Sequence, residues 1–97
     1  MTYKYKARFL KAFQRLGVQD RHRSTEAVEQ IRIFFETRHA PEGLGLKKLF
    51  SREGLGAVCE ARATISLRIV FAVQQDTVTW LMVGDHDEVR RFIRTFQ

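Results

Sequence analysis

The hydrophobic pattern of this chain changes period at Leu44, and that switch limits the folds open to it. Before Leu44, apolar residues recur every third or fourth position: Phe9, Leu10, Phe13 and Leu16, then Ala27, Val28, Ile31, Phe34 and Phe35. After it they alternate, most clearly at Ile65, Leu67, Ile69, Phe71 and Val73 and again at Val78, Trp80 and Met82. A helical period buries one stripe of a cylinder, whereas alternation buries one face of a pleated strand. The chain therefore reads as helices first and a sheet second.

Boundary residues refine that reading. Thr2 to Lys6 alternates enough for a short strand, and Gly17 ends the first helix. Ser24 suits an N-cap, with Glu26 in the first turn of a second helix that must stop before Pro41. Leu44 to Phe50 is a strand run of mixed parity, and Ser51 to Gly56 reads as a loop. Ala57, Cys59 and Ala61 alternate with Val58, Glu60 and Arg62; Ser66, Arg68 and Gln74 point away from the apolar face of the next strand. Gln74 to Thr77 makes a tight connection, and the last strand ends at Gly84. Asp85 and Glu88 have capping-box spacing, and Val89, Phe92, Ile93 and Phe96 give a C-terminal helix its buried stripe. The expectation is one α+β domain over residues 1–97: a short N-terminal strand, two helices, an antiparallel sheet of three to four strands and a C-terminal helix. All helices are expected on one face of the sheet, leaving the other face free for a ligand.

Charge narrows the partners. The formal charge of +6 lies within residues 1 to 23, where Lys4, Lys6, Arg8, Lys11, Arg15, Arg21 and Arg23 oppose only Asp20. Lys6, Arg8, Lys11 and Arg15 make a basic stripe on the first helix. Such a stripe attracts nucleic acid or an acidic protein, or else it is a solvated face that keeps the chain soluble. Cys59 is the only cysteine, which excludes an intramolecular disulfide and the CxxC pairs of a structural zinc site. HxxxH, EF-hand, P-loop and GxGxxG patterns are absent, so no metal and no cofactor are expected. With no apolar run of membrane-spanning length and no signal-peptide pattern at the start, the expected location is the cytoplasm, without membrane association.

The whole order, with a basic first helix, a two-lysine strand, two arginine-bearing strands and a strand-Gly-x-His ending, resembles the RelE/ParE superfamily of type II toxins. Its most specific parts are the segment from Glu60 to Phe71 and the ending from Val78 to Val89. RelE-like and YafQ-like members cleave mRNA in the ribosomal decoding site, whereas ParE-like members poison DNA gyrase. The Gly84-Asp85-His86-Asp87 ending favours the first branch. The resemblance implies a ribosome-dependent mRNA endoribonuclease that needs no metal and is held by a cognate antitoxin. It implies a catalytic role for His86, phosphate-binding roles for Arg62 and Arg68, and RNA contacts from Lys47 or Lys48. The alternatives are a ParE-like gyrase inhibitor and a catalytically inactive relative that binds its antitoxin.

At one position the chain departs from the family. Ribonuclease members commonly carry an aromatic about one helical turn beyond the histidine, where it stacks on a base. Here that position is Arg90, which becomes a candidate RNA contact, while the spacing of Phe92 assigns it to the core. The chemistry read from the residues agrees with the resemblance. Metal-free RNA cleavage needs a group to move the 2′-hydroxyl proton and fixed cations around the phosphate. Imidazole suits the first task, and a pair of exposed strand arginines suits the second. The plainer readings are a polar residue in a first helical turn and two solvated strand arginines. Glu60 is read as an ion-pair partner for a neighbouring arginine, and Cys59 and Trp80 as core.

Overall fold

The computed structural model describes residues 1–96. The chain runs β1 (Thr2–Tyr5), α1 (Ala7–Arg15), α2 (Val18–Thr37), β2 (Lys47–Arg52), β3 (Gly56–Arg62), β4 (Leu67–Gln74), β5 (Thr77–Asp85) and α3 (His86–Arg94). The strands form one five-stranded sheet in the order β1-β5-β4-β3-β2. β2 to β5 are the expected antiparallel meander, and β1 adds a parallel edge beside β5.

One sheet face carries Ala61, Leu67, Ile69, Phe71, Val78, Trp80 and Val83, covered by Phe9 of α1 and by Ala27 and Ile31 of α2. Trp80 is wholly buried there, with Tyr3, Tyr5, Phe9 and Phe71 around it. The opposite face carries Val58, Val70, Ala72, Leu81 and Met82, covered by Val89 and Phe92 of α3. The helices are therefore not all on one face, as expected, and the second face is not left free. A β-bulge explains the change: Phe71 pairs with Trp80 but Val70 pairs with Met82, so Leu81 is an extra residue in β5. The bulge puts Trp80 and Val83 on one face and both Leu81 and Met82 on the other, creating a second apolar surface for α3 to bury. Met82 thus faces away from Val78 and Trp80, contrary to strict alternation.

Other local expectations change for local reasons. Ser24 is no N-cap. The helix begins at Val18, with Gly17 at the cap position and Asp20 in the first turn, and Ser24 lies wholly buried within it. Ser24 shares the buried stripe of Ala27 and Ile31, where a small side chain lets α2 approach the sheet. Ile65 falls in the turn between β3 and β4 and is 91% exposed. The expected strand from Leu44 begins at Lys47 and extends through Ser51 and Arg52, so the loop there is shortened to Glu53–Leu55. Gly56 has a positive φ of 91°, and an added Cβ would meet the Val73 carbonyl oxygen at 2.2 Å. Only glycine fits that rung.

Among the described residues, no helix is long and apolar enough to cross a membrane.

Candidate functional site

The arginine-bearing end of the sheet is set by strand register. Arg62 on β3 pairs with Arg68 on β4, and Arg68 pairs with Gly84 on β5. With strands about 4.8 Å apart, this rung spans roughly 10 Å from Arg62 to Gly84. On the next rung but one, Glu60 pairs with Lys47 of β2. Lys47, Glu60, Arg62 and Arg68 share the face that α3 covers elsewhere, because Glu60 and Arg62 have the parity of Val58, and Arg68 has that of Val70. Lys48 does not join them. It pairs with Cys59 on the opposite face.

The two arginines differ in their surroundings. Arg68 is three-quarters buried, and its Nη1 donates to Glu60 Oε1 at 3.2 Å. Glu60 is therefore the structural partner that its sequence position suggests. Arg62 is exposed and lies over Gly45, where an added Cβ would sit 3.4 Å from its Nη2. Its backbone N–H donates to the Leu44 carbonyl at 2.7 Å, which ties the loop before β2 to the end of β3.

His86 enters this region through the junction between β5 and α3. Glu88 N–H donates to Asp85 Oδ1 at 2.8 Å, and Asp85 N–H donates to Glu88 Oε1 at 2.9 Å, completing the expected capping box. Gly84 makes room for it, since a Cβ there would lie 3.0 Å from both Cβ and Oε1 of Glu88. The box fixes the start of α3 and so the position of His86, its first residue. The imidazole is exposed, and its Nε2 lies 2.5 Å from Nη2 of Arg90, one helical turn on. Arginine can only donate, so Nε2 carries a lone pair in this arrangement and the proton of a neutral ring sits on Nδ1. A ring nitrogen with an available lone pair is the form a general base requires.

Sequence reasoning did not find the charged residues that α2 and the loop before β2 bring to Arg62. Arg23, Glu26 and Gln30 of α2 line a pocket together with Glu42 and Arg62. They lie far apart along the chain and form no linear motif. Elsewhere, Cys59 sits half-buried beside Phe34, Phe35, Leu46 and Phe71. Burial pushes its thiol up, and the Lys48 ammonium opposes that rise. Among the described residues, no group of three or more His, Cys, Asp and Glu side chains is placed to hold a metal ion.

No protein-family model matches the chain, and no curated protein matches it in sequence. Solved structures do match. A copper-bound mutant toxin from Helicobacter pylori is 17% identical, with a TM-score of 0.69 over 92% of this chain and 98% of that one. A chain of the E. coli DinJ-YafQ complex is 16% identical, with a TM-score of 0.67 over 90% of this chain and 94% of that one. A chain of the RelB-RelE antitoxin-toxin complex from Methanococcus jannaschii is 17% identical, with a TM-score of 0.65 over 92% and 96%. At these identities the likeness is one of fold: the chain has a RelE-like fold over nearly its whole length.

Proposed function

We propose that this RelE-like chain is the toxin of a type II toxin-antitoxin pair and a ribosome-dependent, metal-independent endoribonuclease that cuts mRNA. The observation that carries the reading is the rung of Arg62, Arg68 and Gly84, from which the chain passes within two residues to His86 with its accessible imidazole. Several RelE-fold neighbours come from antitoxin-toxin complexes, which supports an antitoxin as partner.

In this reading His86 Nε2 takes the proton of a ribose 2′-hydroxyl once the RNA displaces Arg90. The 2′-oxygen attacks the adjacent phosphorus, the bond from phosphorus to the 5′-oxygen breaks, and that oxygen collects a proton. The products are a 2′,3′-cyclic phosphate and a 5′-hydroxyl. Arg62 holds the phosphate as charge builds, Arg68 assists if it leaves Glu60, and Lys47 and Arg90 add positive charge along the RNA. Ribosomal binding of the message supplies the positioning that so small a site lacks. The exposed α1 stripe of Lys6, Arg8, Lys11 and Arg15 suits an acidic antitoxin.

A second reading has its own observation. Glu60 occupies Arg68 and Arg90 occupies His86, so both groups needed for cleavage are engaged. That arrangement suits a relative that binds its antitoxin, or inhibits gyrase, without cutting RNA. Inducing the chain in cells, mapping new mRNA 5′ ends and assaying plasmid supercoiling in parallel separates the two. New in-frame ends are expected; altered supercoiling without such ends would favour the second reading.

A further inference from the structure

We infer that the pocket beside Arg62 is a base-recognition site that takes a guanine of the bound RNA, an inference resting on the reading that this chain handles RNA. The pocket, of about 210 Å³, opens between α2 and the loop before β2. It is smaller than the roughly 300–1,000 Å³ sites that enclose drug-sized ligands, a scale that suits one planar heterocycle better than a whole nucleotide. Ala27 and Leu44, each only 3% exposed, and half-buried Ala63 give it an apolar base. Around them stand Arg23, Glu26 and Gln30, one turn apart along α2, with Glu42 from the loop and Arg62 from β3.

These charges do not satisfy one another. Among the described residues, Arg23, Glu42 and Arg62 make no ion pair, and Glu26 meets only His22, at 3.7 Å and outside the pocket. An all-cationic lining would select a bare phosphate, and an all-acidic one a cation. Two guanidiniums and two carboxylates over an apolar base instead suit a flat, neutral ligand with both donors and acceptors on its edges. Guanine presents adjacent N1–H and N2–H donors that match one carboxylate, together with O6 and N7 acceptors that match an arginine fork. RNA bases are read in this way on edges left open in single strands. Arg62 belongs both to this pocket and to the rung with Arg68, so a base bound here lies beside the phosphate-binding end of the sheet.

The test uses fluorescein-labelled, fully 2′-O-methylated single-stranded oligonucleotides that carry one guanosine, inosine or adenosine in an otherwise uridine sequence. Methylation blocks cleavage, so anisotropy reads binding alone. The guanosine strand is expected to bind the whole chain about 10-fold more tightly than the adenosine strand, within the usual worth of a bidentate base contact. Inosine, lacking the N2 amine, falls between them. The Glu26→Ala/Glu42→Ala variant should lose the preference while keeping its thermal midpoint, since both side chains are exposed. Equal binding of all three strands, or a preference that survives in the double variant, overturns the pocket. If new mRNA ends never appear in cells but guanosine selectivity holds, the nuclease reading fails and the pocket stands.

Discussion

Arg62 and Arg68 stand opposite one another on the closing rung of β3 and β4, and only Arg68 has a carboxylate beside it, Glu60 at 3.2 Å. Like charges directly opposite across a ladder repel, and a carboxylate on the same face relieves the strain on one of them. The pair is thereby divided into a tethered arginine and a free one turned toward Gly45.

That division predicts different outcomes for the same substitution. Arg62→Gln removes an exposed charge and should change stability by about 0–1 kcal/mol. Arg68→Gln strands Glu60, whose side chain is only 14% exposed, and should cost about 1–3 kcal/mol. The sequence treats both arginines as equally exposed; the structure withdraws that for Arg68. Chemical denaturation of the two variants checks the difference, and Arg62→Gln is the one expected to lose toxicity while the fold is intact. Equal stability losses would mean that Glu60 does not hold Arg68.

Glu60→Gln should free Arg68 for RNA. One additional phosphate contact steepens the plot of log binding constant against log salt by about 0.7 for a single strand. Titrations of single-stranded RNA between low and moderate salt give the slope directly. An unchanged slope would place Arg68 outside the RNA path.

Removing the cap tests how His86 is positioned. Asp85→Ala leaves the Glu88 N–H without its side-chain acceptor and should cost about 1 kcal/mol. For a domain of this size that lowers the thermal midpoint by about 4–8 °C. If His86 depends on that cap, toxicity should fall more than the loss of folded protein accounts for. A midpoint unmoved by the substitution would contradict the capping geometry.

The parts of this architecture legible in the sequence are those set by neighbours along the chain. Asp85 and Glu88 announce the cap, the alternation from Leu67 to Val73 announces β4, and the two helices of the first half appear in their apolar spacing. Parity failed at Leu81, because one bulged residue exchanges the faces of everything after it, and this sent α3 to the second face. Ser24 misled because its good capping chemistry coincides with a buried stripe, and burial decided the outcome. Arg62 and Arg68 were visible as strand arginines. Their different surroundings were not, since Glu60, Gly45 and the α2 residues reach them only through register and packing.

Cys59 offers a check on the lysine strand. Its thiol is raised by burial and lowered by Lys48, and only the thiolate is alkylated. At pH 8 iodoacetamide should therefore react more slowly with Cys59 than with an exposed cysteine. Lys48→Ala removes the lowering influence, raises the thiol further and should slow the reaction again at fixed pH. Faster alkylation in that variant would show that Lys48 shields the thiol sterically rather than acting through its charge.

The sharpest prediction concerns His86, because one imidazole must account for proton transfer in a site for which no metal ligand cluster is found among the described residues. His86 is exposed and contacts only Arg90 through its ring, so His86→Ala should fold as the parent does. Cleavage on programmed ribosomes should drop by roughly 10²- to 10⁴-fold, the usual contribution of a general acid or base. His86→Gln distinguishes proton transfer from positioning, since an amide can accept the Arg90 hydrogen bond but cannot exchange a proton near neutrality. It should be as inactive as the alanine variant. The ends of the cut message carry independent information: attack by the 2′-hydroxyl leaves a 2′,3′-cyclic phosphate or the 3′-phosphate formed from it. This readout is cleaner than chelation, because the ribosome needs magnesium of its own. A His86→Ala protein that cuts at the parental rate, or messages ending in 3′-hydroxyls, would remove His86 from the chemistry while leaving the RelE-like fold untouched.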